Sequence, residues 1–380
     1  MSNICYYIWL QKIFMGEPEK AHHILSLVKS PETFYKHREE LVSEFSFLDD
    51  SDKKKIKSVS LKSAEAAEKR CRLKNIEIIT PESKFYPERF KEIPNPPFLI
   101  YAFGNLDLLN GYPIVSVVGT RKSDREADMA AMHFSYDLAS VGAVICSGVA
   151  EGIDAAAIKG ALRAEGKTIG IMACSLDVNY PAATGNTKRE ILKADGLLIS
   201  EYPPTERAFA SNFYPRNRLM SGISDAVLAV KAPQKSGTLI TASHAAEQGR
   251  ELYVIPWSPY ERLAEGSNKL ISDGAYPVFS SQEIFLPLSV KYPEKIDVSK
   301  YDKNSVNIFR FSKVKKKENV SKKQIEDDPI LSLLLENDLS FDELVIKTKM
   351  SASSLSSQLI KLEMKGYTER DISGKYTLKI

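Results

Sequence analysis

Ile114-Val-Ser-Val-Val-Gly-Thr-Arg-Lys122 is the stretch that decides the fold. A short apolar run ends abruptly in a glycine, a hydroxyl and two cations. Such a run, bounded by a turn signal, reads as a strand covered on both faces. Outward along the chain the pattern recurs at Ala143–Cys146, Ile169–Met172, Leu197–Ser200, Ala226–Val230 and Leu252–Ile255. Each run is followed by a glycine- or serine-bearing turn and an amphipathic helical pattern. From Pro113 to about Phe279 this alternation predicts an α/β domain, a Rossmann-like doubly wound and mostly parallel sheet.

The flanks read differently. Tyr6, Leu10 and Phe14, then Ala21, Ile24, Leu25 and Val28, recur at helical spacing, so residues 1–75 are expected to form a small helical domain. Ile76–Ile79 is extended, and the run Ile93-Pro-Asn-Pro-Pro-Phe-Leu-Ile-Tyr101 excludes helix, because proline removes donors and biases its predecessor to extended backbone. The sheet domain is placed at 76–286. Residues 287–328 lack apolar periodicity and hold Lys313, Lys315, Lys316, Lys317, Lys322 and Lys323, which reads as a solvated basic linker. In 329–380 three helical patterns, Ile330–Leu335, Phe341–Thr348 and Ser354–Lys365, precede a hairpin pattern over Asp371–Leu378 turning at Ser373-Gly374. Three helices with a β-wing describe a winged-helix domain.

A chain of 380 residues with 43% hydrophobic content has ample material for a large core without disulfide or metal staples. The net charge of +3 says little, but its distribution says more. Gly111–Pro287 carries 17 Lys+Arg against 19 Asp+Glu, a net of −2, whereas Leu288–Asp327 carries 11 against 6, a net of +5. An anion site in the middle of the chain must therefore be a local pocket, not a general basic surface. Cys5, Cys71, Cys146 and Cys174 form no C-x-x-C pair, which fits a reducing compartment and argues against zinc. No leader pattern opens the chain and no apolar stretch is long enough to span a bilayer, so no membrane association and a cytoplasmic location are expected.

Three turns carry the chemistry. In the first, Gly119 lets backbone approach an anion, Thr120 offers a hydroxyl, and Arg121 and Lys122 supply charge, with Arg121 suited to bidentate phosphate contact. The following helix begins near Arg125, so its N-terminal N–H groups are expected to face the same crevice. The second turn, Cys146–Asp154, offers Ser147 and Gly148; the third offers Ser236, Gly237 and Thr238 at a helix start. In an open parallel sheet such turns converge at the carboxyl edge, where ligands sit. A fourth segment, Asn212-Phe-Tyr-Pro-Arg-Asn-Arg218, combines amides and guanidiniums for phosphate with a ring for base stacking: Asn212, Phe213, Arg216, Asn217 and Arg218. Taken singly, Phe213 also fits a core position and Arg216 an ion pair. Gly160–Thr168 imitates a P-loop, but five residues separate its glycines where four are required, and it runs from helix to strand.

Catalytic signals are thin. The histidines have no metal-ligand spacing, and Asp154, Asp177, Glu201 and Asp225 near strand ends more often cap helices or orient arginines. No catalytic residue, metal or cofactor is expected.

With these turns in order, the chain resembles the bacterial DNA-processing protein A (Smf/DprA) family. The likeness runs from Phe85–Phe98 through Val118–Arg121, Ser147–Asp154, Leu176–Pro181, Ser200–Pro204, Arg216–Gly222, Ser236–Ala242 and Glu247–Glu251 to Asn268–Ala275. The resemblance implies a non-enzymatic mediator that binds single-stranded DNA as a homodimer and loads the RecA-type strand-exchange recombinase, supporting natural transformation. It implies a helical N-terminal domain of the SAM or helix-hairpin-helix kind and a C-terminal winged helix. It also implies a DNA pocket lined by Arg121, Asn212, Phe213, Arg216, Asn217 and Arg218, and Arg250 of the Glu247–Glu251 segment is counted with them. Departures stand out: Glu151 replaces a usually basic residue, Ala173-Cys-Ser175 replaces Gly-Cys-Gly, Tyr214 displaces a proline by one place, and Trp257 stands where glycine is common.

Two rivals come from other classes. A nucleotide-handling enzyme of the phosphoribohydrolase kind would carry a Pro-Gly-Gly-x-Gly-Thr turn, but the chain has Lys235-Ser-Gly-Thr238 without the glycine pair. A nucleotide-sensing regulator would act through the winged helix on duplex DNA.

Overall fold

The computed structural model of the chain describes residues 2–303, 305, 328–364, 367–370 and 375–378. It divides into two compact units, Met1–Phe309 and Arg310–Ile380.

The first unit is built on nine strands: β1 (Glu77–Ile79), β2 (Ile100–Gly104), β3 (Ile114–Val118), β4 (Val144–Ser147), β5 (Thr168–Met172), β6 (Leu197–Ser200), β7 (Ala226–Ala229), β8 (Glu251–Val254) and β9 (Tyr276–Pro277). Their order across the sheet is β1-β2-β6-β5-β4-β3-β7-β8-β9. From β6 to β9 every pairing is parallel, and β2 runs antiparallel to both β6 and β1. Every residue of β3, β4, β5, β6 and β7 is buried, as parallel strands between two helical layers must be.

Successive side chains of β3 part to opposite faces. Ile114 and Val118 join a core with Leu219, Met220 and Ile223 of the helix Phe213–Ile223, while Val115 and Val117 pack on Ala127, Ala131, Ala156 and Ala157 of the helices Arg125–Ser140 and Ile153–Arg163. The polar member of the run, Ser116, is fully buried and donates to the Met220 carbonyl at 2.8 Å. The chain winds from β3 out to β6, then returns to lay β7 on the other side of β3. That reversal opens a crevice beyond the carboxyl ends of β3 and β7.

Six helices from Asn3–Ile13 to Leu61–Leu73 pack around Trp9, Leu10, Phe14 and Phe34. The proline-rich run supplies Phe98 and Leu99 to that core before becoming β2. Gln11 stitches the layers together, donating to the Glu201 carbonyl at 2.9 Å and accepting from the Tyr101 hydroxyl at 2.7 Å. Residues 287–291 complete the helix Gln282–Lys291, whose Ile284, Phe285 and Leu288 are buried. The lysines from Lys313 to Lys323 lie outside the described residues.

The second unit holds the helices Pro329–Glu336, Phe341–Thr348 and Ala352–Met364 around Ile330, Leu334, Leu344, Leu355 and Leu359. Strands β10 (Thr368–Arg370) and β11 (Tyr376–Leu378) pair antiparallel, with Leu339 bridging to Tyr376, which completes a winged helix. The expected turn at Ser373-Gly374 lies outside the described residues.

Candidate nucleic-acid interface

The first turn is clamped where β3 ends. The Thr120 N–H donates to the Lys231 carbonyl at 2.8 Å, and the Thr120 carbonyl accepts from the Ile153 N–H at 3.2 Å. Gly119 has a packing role: a Cβ there would stand 2.5 Å from Ile153 Cγ1. The Thr120 hydroxyl is buried and accepts from the Lys122 N–H at 3.2 Å. Arg121 and Lys122 are exposed, and the Arg121 guanidinium lies 4.5 Å from the centre of the Phe213 ring. This stacking presents its fork in a fixed plane.

The second turn is held from below. Ser147 is fully buried and donates to the Val117 carbonyl at 2.9 Å, tying β4 to β3. Gly148 makes room for Arg216, whose two terminal nitrogens would each lie 2.6 Å from a Cβ at that position. Arg216 is 4% exposed; its Nη1 donates to the carbonyls of Gly148 and Ile171 and its Nε to Asn217 Oδ1. Burial pushes the Asp154 carboxyl above its ordinary range, against the pull of neighbouring Arg216, and Asp154 accepts from the Ala150 N–H at 3.3 Å. Arg216 and Asp154 thus form a buried floor under the turn.

The third turn faces outward. Ser236 caps the helix Gly237–Glu247, accepting from the Thr238 N–H at 3.2 Å, and Asn217 Nδ2 donates to the Gly237 carbonyl at 3.1 Å. A Cβ on exposed Gly237 would meet only Asn217, at 3.8 Å. Backbone can therefore be approached there by a ligand. Gly119, Gly148 and Gly152 are different: a Cβ on each would collide with the protein itself. Together the turns enclose a crevice of about 380 Å³ lined by Gly119–Arg121, Phe213, Arg216, Asn217 and Lys235–Thr238. A hollow of about 190 Å³ adjoins it across Phe213, with Arg121, Glu151, Tyr180 and Pro181 in its wall. Exposed Glu151 shares the wall of this hollow with Arg121, amid the largely apolar Met172, Ala173, Pro181 and Phe213.

Residues 77–289 match the family model for DNA recombination-mediator protein A, and residues 315–371 match the DprA winged helix domain. The chain belongs to the DNA recombination-mediator protein A family. It is similar to Protein Smf of Synechocystis, 31% identical over 80% of each chain. DNA processing protein DprA of Bacillus subtilis is 36% identical over 59% of this chain and 76% of its own. The X-ray structure of DNA processing protein A from Streptococcus pneumoniae superposes with a TM-score of 0.56 at 32% identity, over 62% of this chain and 81% of that one. The Helicobacter pylori structure, solved for insight into its unique single-stranded DNA binding mode, gives 0.51 at 32% identity, over 57% and 97%.

Within this family fold, the residues expected to line one DNA pocket separate into groups. Gly119, Thr120, Arg121, Phe213, Ser236, Gly237 and Thr238 meet at the crevice, and Lys122 follows them in the turn as an exposed residue. Ser147, Gly148, Asn212, Arg216 and Asn217 lie beneath or behind it; Asn212 Nδ2 donates to the carbonyls of Ala173 and Arg207 at 3.2 Å. Arg218 points to another side of its helix and pairs with Glu201 at 2.6 Å. Arg250 precedes β8, at the amino-terminal edge of the sheet. It donates to the carbonyls of Arg89 and Gly222 and stands 3.5 Å from Glu92. Two contributors were not singled out from sequence: Lys235 and Tyr180, whose ring centre lies 6.2 Å from that of Phe213. Lys235 was readable as the cation before the third turn, whereas Tyr180 reaches Phe213 only through folding. Among the described residues no three His, Cys, Asp or Glu side chains gather to hold a metal ion, and no helix is long and apolar enough to cross a membrane.

Proposed function

We propose that this crevice grips the backbone of single-stranded DNA. In this reading Arg121, Lys122 and Lys235 meet phosphates, Ser236–Thr238 supply helix N-terminal donors, and Phe213 stacks a base. The observation that carries the proposal is the Arg121–Phe213 stack standing opposite the open, Gly-bearing helix start, at the switch point of a sheet in this family. Phosphates and base faces are what every single strand offers, so sequence preference should be weak. Ser147, Gly148, Asn212, Arg216 and Asn217 act by holding the turns; Arg216 also adds a fixed positive charge behind the phosphate.

The protein then works as a cytoplasmic homodimer without a catalytic step, protecting incoming DNA and handing it to a RecA-type recombinase in natural transformation. Asp154, the carboxyl in the crevice wall, lies beside Arg216, which favours a positioning role for it over a catalytic one. Binding of a labelled single strand against the matching duplex over a salt series tests it. Tighter single-strand binding is expected, falling with rising salt because counterions released on binding gain less entropy in a more concentrated solution. Equal affinity for the two forms rejects the reading.

A further inference from the structure

The helix Phe213–Ile223 has two working sides. Phe213, Arg216, Asn217 and Met220 face the crevice, at helical spacing. Tyr214, Pro215 and Arg218 face a second cavity of about 650 Å³ between the sheet and the N-terminal helical layer, where Gln11, Phe14 and Phe98 form the opposite wall. Tyr214 belongs to both cavities. Its ring is 59% exposed and stands edge-on to His244 at 5.5 Å, on the ridge that separates them.

Arg218 lies in the wall of the second cavity, 9% exposed. One terminal nitrogen is committed to Glu201, while Nη1 is buried and finds no hydrogen-bond partner among the described residues. His244 Nε2, in the same wall, is likewise unpartnered. A buried guanidinium donor left unmade is costly and points to an acceptor that arrives with a ligand. Glu201 and Glu247 also line the space, so a bare anion would be repelled. A neutral ring carrying a carbonyl oxygen, flanked by aromatic walls, suits the site.

We propose that a single strand held in the crevice continues over Tyr214 and places the next base in this cavity, with a base carbonyl accepting from Arg218. The proposal rests on the single-strand reading of the crevice and extends it to a second base site. It favours thymine, guanine or cytosine over adenine, which offers no carbonyl.

Fluorescence titration of the full chain with labelled thymine and adenine oligonucleotides tests it. Tyr214→Ala should weaken thymine binding about tenfold, the scale of one lost base stack, and Tyr214→Phe should not. Arg218→Met combined with Glu201→Gln removes the donor without leaving a lone buried charge; it should weaken thymine binding more than adenine binding. If Tyr214→Ala binds as the wild type while Arg121→Ala binds weakly, the crevice reading stands and the second base site falls. If Arg121→Ala also binds as the wild type, both fall. A loss for Tyr214→Ala with no effect of the double substitution, or an equal loss for Tyr214→Phe, overturns the base-and-arginine contact.

Discussion

Arg121 and Arg216 lie at the same crevice and do opposite jobs. Arg216 is a buried charge satisfied by two carbonyls, Asn217 and neighbouring Asp154. Removing one member of such a cluster leaves an uncompensated charge and costs about 3–5 kcal/mol. Arg216→Met is expected to lower the urea or thermal midpoint sharply. Arg121 is exposed and stacked on Phe213, so Arg121→Ala should leave the midpoint alone and cost single-strand affinity about 1.5–3 kcal/mol, the worth of a charge-assisted hydrogen bond. A stable Arg216→Met protein with weak binding would mean that Arg216 touches the strand directly. Glu151 offers a gain instead of a loss. Replacing its exposed carboxylate beside the 190 Å³ hollow by arginine should tighten binding at low salt. The gain should shrink as screening sets in over a Debye length of about 10 Å at 0.1 M. Unchanged affinity in a stable Glu151→Arg protein would place the strand away from that rim.

The turns make the same distinction between holding and binding at the level of elements. A Cβ at Gly148 would meet the anchored Arg216 fork at 2.6 Å and Asp154 Oδ2 at 2.7 Å, neither of which can retreat without giving up its partners. Gly148→Ala should therefore destabilise by about 1–3 kcal/mol, as overpacking of a filled interior does. Gly237→Ala meets nothing closer than 3.8 Å, so it should fold like the wild type and lose single-strand affinity because the methyl blocks backbone approach. Denaturation and titration of the two proteins check both halves; a Gly237→Ala protein of full affinity would show that the third turn is not a contact. The strands of this site were legible because runs such as Ile114–Val118 are apolar on both faces and end at glycine or serine. The glycines looked alike in sequence, since only the fold reveals whether a missing side chain makes room for Ile153, for Arg216 or for a ligand. β2 stayed hidden behind the prolines that precede it, and β9 is only two residues long. Tyr6, Leu10 and Phe14 marked the helix Asn3–Ile13 by their spacing, although the spacing did not show that it is buried nearly all round. Arg216 and Arg218 are two residues apart on one helix, so sequence proximity grouped side chains that point into different cavities.

At the scale of the whole molecule, the sheet domain has no general basic surface, with 17 cations against 19 anions between Gly111 and Pro287. One local crevice offers a strand few phosphate contacts, and affinity for long DNA must then be gained by joining sites. In the homodimer proposed above a second copy of the chain would do this, because tethering two sites on one strand converts the second contact into an intramolecular one and raises apparent affinity by roughly 10²–10⁴. The open flank of β9 is where a second copy would fit. Tyr276 is 57% exposed, Phe279 80% and Val290 83%, and Leu286 lies one helical turn before Val290. An apolar band beside an unpaired strand edge is a surface that soluble chains normally cover. Phe279→Asp would place a charge in that band without touching the crevice. Sedimentation should then show a monomer, with affinity for a long single strand falling while affinity for an oligonucleotide filling one crevice stays as it was. If Phe279→Asp sediments as the wild type, the partner copy docks elsewhere. Equal losses on short and long strands would mean instead that the substitution had reached the crevice.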